Sequence, residues 1–283
     1  MQRYIIKNHA DSILPDGEWK LVWSDEFDGD ELDLSKWDFR TNMMGKQVKH
    51  FCKDAISLEN SNLVFHLVKK DGVYQTVQLQ TGYNFMDGEP EEYDIGSSEG
   101  NDNINNKSVN FFKWPIGRIK EPKFMHRYGY YECRCKLLNK PGWWSAFWLQ
   151  SPTIGATLDP ETSGVEVDIM EDFRRDGVVQ CNNHWNGYGS QHESTGAVET
   201  KVEKTDDGYH SFGLLWTPDK YEYYIDGELI NTETTPVSKI PQFILLTTEA
   251  IGYRCSDWNA WDELETSVGD TWKVDFVRVF DRK

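Results

Sequence analysis

Gly164-Val165-Glu166-Val167-Asp168-Ile169-Met170-Glu171 carries three carboxylates within six residues, interleaved with β-branched Val165, Val167 and Ile169. Branched Cβ atoms restrict χ1 against a helical turn and pack well on a pleated surface, so the stretch reads as a strand. Side chains alternate faces along a strand, which puts Glu166 and Asp168 on one face and the aliphatic residues on the other. Glu171 is an odd number of residues past Glu166, so a regular strand would turn it to the aliphatic face. One extra residue around Ile169-Met170, a β-bulge, returns it to the carboxylate face.

With the bulge, Glu166 and Glu171 lie about four pleat steps apart, or roughly 13 Å between Cα atoms. Two glutamates leaning together from that spacing bring their carboxyl groups to about 5–6 Å. That separation suits a double displacement at an anomeric carbon and is short of the roughly 6.5–9.5 Å that would admit a water between them. Taken alone, the same pattern also reads as a solvated acidic strand or a calcium-binding edge.

The neighbouring sequence separates these readings. Glu-x-Asp-x-x-Glu resembles the catalytic signature of glycoside hydrolase family 16, in the bulged form of laminarinases, agarases and carrageenases. Leu21-Val22-Trp23-Ser24-Asp25-Glu26-Phe27-Asp28-Gly29 with Leu34-Ser35-Lys36-Trp37 resembles the family's opening strand. Tyr128–Lys136 and Pro141–Leu149 resemble its central block, and Tyr209–Gly213, Trp216–Lys220, Tyr224–Gly227 and Val274–Val279 its last third. The matches follow in order over most of the chain.

Composition narrows the partners. Fourteen per cent of the 283 residues are aromatic and 12 are Trp, more than a core of this size needs, and stacking on sugar rings is the obvious use of the excess. The formal charge of −17 argues against nucleic acid and anionic membrane surfaces, which demand a basic footprint, and disfavours a sulfated polysaccharide. A neutral polysaccharide or oligosaccharide is the expected partner, met by a monomer. Cys52, Cys133, Cys135, Cys181 and Cys255 form no C-x-x-C pair, and Cys133 and Cys135, two apart in a strand-like run, read as small buried apolar groups. Met1–Asn8 lacks the long apolar core of a secretory leader, although the expected activity belongs outside the cell or at its surface. No apolar run approaches membrane-spanning length.

Along the chain, residues 1–17 read as an irregular lead ending in the turn Pro15-Asp16-Gly17. Ala55–Glu59 and Asn62–Val68 straddle Asn60-Ser61 as a hairpin, and Lys69–Gly72 is a turn before a strand through Tyr74–Leu79. Residues 82–110 read as a long loop bordering the cleft, with Tyr83 or Asn84 as a sugar contact. Lys113, Arg118, Lys120, Lys123 and Arg127 form a basic cluster, a solvated rim or a patch for anionic substituents. Parity puts Trp144 and Trp148 on one face and Phe147 on the other. Val178–Trp185 alternates and can pair beside the carboxylate strand. Asp226-Gly227 is a hairpin turn. Tyr253–Trp261 adds Trp258 and Trp261 in a loop. Many short strands without βαβ alternation predict an all-β, two-sheet antiparallel β-sandwich (a jelly roll) with a concave cleft, in a single domain over 1–283.

The resemblance implies a retaining endo-β-glycosidase in which Glu166 is nucleophile, Glu171 is acid and base, and Asp168 holds the proton balance between them. It implies Trp144, Trp148 and His184 as substrate contacts, with two core indoles and a satisfied structural histidine as the alternatives; Trp185 beside His184, and the loop residues Tyr83 and Trp258, are further expected contacts. No cofactor is required, although family members hold a structural calcium for which Glu26 and Asp275 are candidates, with a solvated pair as the alternative. Asn42–Gln47 and Ile244–Gly252 depart from the laminarinase pattern. β-1,3-Glucan or mixed-linkage β-glucan is therefore the leading substrate, with a β-galactan next. A non-catalytic carbohydrate-binding sandwich is the competing class.

Overall fold

Short alternating segments separated by Gly, Asn and Asp turns pair into ladders throughout the computed structural model. It describes residues 1–40, 50–84, 87, 120–175, 177–250 and 260–283, with the side chains of 174–175 and 260–263 outside that set. In chain order the strands are β1 (Gln2–Tyr4), β2 (Ser12–Leu14), β3 (Trp19–Asp25), β4 (Asp38–Phe39), β5 (Ile56–Leu58), β6 (Leu63–His66), β7 (Val68–Lys70), β8 (Val73–Gln75), β9 (Gln78–Gln80) and β10 (Gly129–Lys136). They continue as β11 (Trp144–Gln150), β12 (Glu166–Arg175), β13 (Val178–Trp185), β14 (Glu193–Ser194), β15 (Val198–Lys201), β16 (His210–Trp216), β17 (Tyr221–Ile225), β18 (Glu228–Glu233), β19 (Phe243–Glu249) and β20 (Thr271–Arg282). Helices α1 (Pro160–Ser163) and α2 (Ala260–Ser267) are short, and no described helix is long and apolar enough to cross a membrane.

Two eight-stranded sheets carry the fold. The first runs β18-β17-β16-β10-β20-β6-β5, with β3 also on β20; the second runs β14-β13-β12-β11-β19-β9-β4, with β15 also on β13. β20 is the spine of the first sheet, pairing β10 along one edge and β6 then β3 along the other. All of these ladders are antiparallel, as the alternating pattern predicts. Left-handed residue pairs close three of the hairpins at the positions read from sequence: Asn60-Ser61 (φ 53°, 55°), Asp71-Gly72 (51°, 78°) and Asp226-Gly227 (50°, 87°).

The core lies between the sheets. Cys133, Cys135, Phe212, Leu214, Trp216, Val277 and Val279 of the first sheet meet Phe147, Leu149, Val167, Ile169, Met170, Ile244 and Leu246 of the second. Each fully buried aliphatic or aromatic side chain contributes about 1.5–3 kcal/mol. Cys133 and Cys135 are buried free thiols inside this core, as their parity predicts.

The N-terminal lead is not irregular. β1 and β2 form a small ladder with Arg3 opposite Ile13. Leu14, together with Trp19 of β3, packs on Tyr130, Leu215, Tyr224 and Phe280, covering the outer face of the first sheet. Beneath it the buried Arg278 guanidinium donates to Ala10 O and Ser12 Oγ, both at 2.8 Å, and grips both oxygens of Glu26 at 3.1 and 2.7 Å.

The same layer buries Glu132, whose Oε1 accepts from Ile13 N at 3.0 Å. Burial pushes its carboxyl from 4.5 up to about 7, with the Ile13 N–H opposing the shift. A raised folded-state pKa gives stability that is full below about 4.5 and lost as pH rises through about 7. The difference corresponds to about 3 kcal/mol at pH 8 and above. Glu132→Gln keeps an acceptor for Ile13 and removes the titration. It is expected to melt above wild type at pH 8.5, with the gap closing towards pH 4.5 in paired thermal scans; a gap independent of pH would remove the buried charge as the cause.

Candidate active site

Gly164 starts the carboxylate strand because nothing larger fits. Its φ is +93°, and a Cβ there would sit 2.1 Å from Ser151 Cβ. Along β12 the ladder then slips by one residue. Asp168 opposes Asn182 and Glu171 opposes Gln180 on β13, while on β11 Trp148 opposes Asp168 and Phe147 opposes Met170. Ile169 is the extra residue, and it and Met170 both pack into the core. Glu166, Asp168 and Glu171 therefore share the other face, 6, 4 and 1 % exposed.

The floor around them comes from the neighbouring strands. Trp144, Ala146 and Trp148 of β11 cluster with Phe243 and Leu245 of β19 on this face, and Phe147 lies in the core, as parity requires. The two indoles are anchored walls: Trp144 Nε1 donates to Glu171 Oε1 at 3.1 Å, and Trp148 Nε1 donates to Thr247 Oγ1 at 2.8 Å. The Arg40 guanidinium lies over the Trp148 ring, 5.6 Å from its centroid. Asp270 Oδ2 pins the turn before β11 by accepting from Asn139 N, Lys140 N and Trp143 Nε1.

Each carboxylate has its own partners. Glu166 Oε2 accepts from Gln150 Nε2 at 2.9 Å and from the Tyr188 hydroxyl, while Gln150 Oε1 accepts from Asn84 Nδ2. Glu166 Oε1 accepts from no described residue, which leaves it open to the cleft. Glu171 Oε2 accepts from Gln180 Nε2 at 2.9 Å. Asp168 Oδ2 lies 3.4 Å from His184 Nε2, and His184 Nδ1 lies 2.9 Å from His192 Nε2.

These environments separate the charges. Burial, followed by the charges of Glu171 and Glu166, pushes Asp168 up to about 7. Burial works to lower His184, but its hydrogen bond to Asp168 and the surrounding carboxylate charges outweigh that and hold it at about 9. Between pH 7 and 9 the two form an ion pair beside the glutamates, and below pH 7 the crowd holds an extra proton. Donor atoms of Glu166, Asp168 and His184 lie within 4.8 Å of one another, close enough for a cation. A protonated imidazole offers hydrogens there and no lone pair, so while His184 holds its proton the trio is an ion pair flanking Glu166.

His184 is brought to the site, as Cα partner of Glu166. Trp185, the next residue, packs on the core side, where strand alternation turns it, and not beside the carboxylates. Tyr83 is 7 % exposed, its hydroxyl donating to Asp38 and its ring lying under Lys120, so it offers little open face. Trp258 and the Trp261 side chain lie outside the described residues. Of the calcium candidates, Glu26 is held by Arg278 and Asp275 by Arg134 Nη1 at 2.5 Å, so each carboxylate already has a cationic partner. Of the basic cluster, Lys113 and Arg118 lie outside the described residues, whereas Lys123 donates to Leu34 O and Arg127 to Lys239 O. Gln150, Gln180, Tyr188 and His192 were not foreseen. Gln150 and Gln180 occupy cleft-facing parity positions that could have named them; Tyr188 and His192 are on a loop without periodicity.

With this geometry in hand, comparison with known proteins is specific. Residues 89–278 match the family model described as Glycosyl hydrolases family 16. Glucan endo-1,3-beta-glucosidase A1 of Niallia circulans is 25 % identical over 279 residues, covering 92 % of this chain; the match spans only 37 % of that protein. A beta-glucanase of Rhodothermus marinus is 25 % identical over 93 % of this chain and 85 % of its own length. The crystal structure of a laminarinase from Flavobacterium sp. UMI-01 superposes with a TM-score of 0.65 at 20 % identity, over 93 % of this chain and all of that one, and so shares the fold. A bulged strand presenting three carboxylates to the floor of a two-sheet sandwich, inside a match covering two thirds of the sequence, places this chain in glycosyl hydrolase family 16.

Proposed function

We propose that the protein is a retaining endo-β-glycanase acting on β-1,3-glucan or mixed-linkage β-glucan. The observation that carries the reading is the bulge at Ile169: without it Glu171 would face the core and leave only two carboxylates in the cleft. Glu166 Oε1, the oxygen without a hydrogen bond, attacks the anomeric carbon as the glycosidic C–O bond breaks and Glu171 gives its proton to the departing oxygen. Water then attacks the glycosyl-enzyme, Glu171 takes the water's proton, and the sugar leaves with its original configuration. Asp168, paired with His184, sets the charge between the two glutamates. The polymer is inferred from relatives named for 1,3-beta-glucan and beta-glucan cleavage, together with the net acidity of the chain.

The test is product analysis on laminarin, barley β-glucan, agarose, porphyran and carrageenan. Oligosaccharides are expected from laminarin or barley β-glucan, with the β-anomer forming first. Cleavage of a galactan alone would move the substrate to that class, and binding without cleavage would make the protein a carbohydrate-binding sandwich.

A further inference from the structure

We infer that the loop between β13 and β14, Asn186–His192, is a positioning device for the carboxylates, acting through Tyr188 on Glu166 and through His192 on His184. The kinetic part rests on the glycanase reading; the spectroscopic part does not.

The loop is built to hold its place. Asn186 and Gly187 take φ of 62° and 71°, turning the chain back, and a Cβ on Gly155 would lie 2.6 Å from Gly187 Cα. The loop base is thus clamped backbone to backbone on the turn that follows β11. His192 N donates to Gly189 O at 3.2 Å, and His184 pairs with Ser194 across the hairpin. The result is a stack of three rings: Tyr188 on His192 at 6.4 Å between centroids and His192 on His184 at 5.0 Å, both inclined by 23°.

Two consequences follow for the acids. Tyr188 and Gln150 both donate to Glu166 Oε2, so the carboxylate cannot rotate to exchange its oxygens and Oε1 is kept as the attacking atom. Burial, then the charge of Glu166, keeps the Tyr188 phenol protonated, so it remains a donor. His184 is faced by Asp168, Glu166 and Glu171 from β12, by Asn182 from its own strand, and by His192 from the loop. Asp168 Oδ2 lies 3.4 Å from its Nε2, and the Asn182 side-chain nitrogen 3.0 Å from the same atom. The Nδ1 proton needs a separate acceptor, and His192 Nε2 supplies it at 2.9 Å.

The experiment uses the full chain labelled with 15N-histidine, as wild type, His192→Phe and His192→Gln. The His184 ring nitrogens are followed against pH, while wild type and Tyr188→Phe are compared on laminarin. In wild type the His184 imidazolium persists to about pH 9. In His192→Phe its midpoint is expected to fall by about one pH unit, and in His192→Gln, which keeps an acceptor, to return most of the way. Tyr188→Phe is expected to lose about tenfold in kcat with KM unchanged, and the acidic limb of its pH profile should move to higher pH. A His184 midpoint unmoved by His192→Phe, or a Tyr188→Phe enzyme with wild-type kcat and profile, overturns the inference. Absence of turnover by wild type on every polymer would sink the glycanase reading instead, leaving the histidine titration to decide the role of the loop.

Discussion

Glu166→Ala is expected to lower kcat on the susceptible glucan by about four orders of magnitude while the protein stays folded and still binds the chain. The carboxylate forms the new bond to the anomeric carbon, so its removal deletes the two-step route and not merely a contact. The fold should tolerate the loss, because Glu166 brings a negative charge to a face already crowded by Asp168 and Glu171. What remains is a pocket whose donors, Gln150 Nε2 and Tyr188 OH, point into the vacated space. A small anion such as azide fits those donors. With a nitrophenyl glycoside, whose leaving group needs no proton, azide is expected to restore part of the rate. It attacks where Glu166 Oε1 would have, but with a single displacement, so the glycosyl azide carries inverted configuration. The measurement is product stereochemistry by NMR beside kcat with and without azide. A variant within tenfold of wild type on laminarin, or a rescued product of retained configuration, would place the nucleophile elsewhere.

The bulge and the parity of the carboxylate strand were legible because the β-branched residues between the acids leave few alternatives. Parity also put Trp144 and Trp148 on one face, which the family resemblance made the acid face, and put Cys133 and Cys135 together on one side. Parity could have corrected the expectation for Trp185 too, since it follows His184 directly in the same strand and must point the other way. That residue was expected at the site beside His184, and alternation turns it to the core side. The arginine partners of the calcium candidates were hidden for a different reason. Glu26 meets Arg278 across 252 residues and Asp275 meets Arg134 across 141, and no local pattern announces such partners. β1 and β2 are three residues each, too short to show a period, so the lead read as irregular. Tyr188 and His192 reach the acids only because a clamped loop folds back over β13, and the clamp is a contact between Gly155 and Gly187, 32 positions apart in sequence.

Glu171→Gln is expected to split the reaction into its halves. On unactivated glucan, where the departing sugar oxygen needs a proton, hydrolysis should fall by about 10²–10⁴-fold. On a nitrophenyl oligoglucoside the first step should run near the wild-type rate, because nitrophenolate leaves unprotonated. The second step then stalls, since the amide cannot take a proton from the attacking water. A burst of nitrophenol followed by slow turnover is expected, with a glycosyl adduct on the peptide containing Glu166 by mass spectrometry. Azide needs no base, so it should discharge the adduct with overall retention, the opposite outcome to Glu166→Ala. The wild-type pH profile should be bell-shaped, and the alkaline limb should vanish for the variant on the activated substrate. The charge at position 171 is also one of the causes that hold Asp168 near 7, after burial. Removing it lets Asp168 ionise at lower pH, so the variant's His184–Asp168 ion pair should extend further into acid, and the His184 nitrogens report that directly. Polymer hydrolysis by the variant at the wild-type rate would sink the assignment of Glu171 and leave Asp168 as the acid. A lost burst with an intact alkaline limb would show that Glu171 only binds substrate. The paired outcomes at Glu166 and Glu171, inversion in one and retention in the other, are what two carboxylates on one face of a bulged strand require, and a single catalytic carboxylate would not produce both.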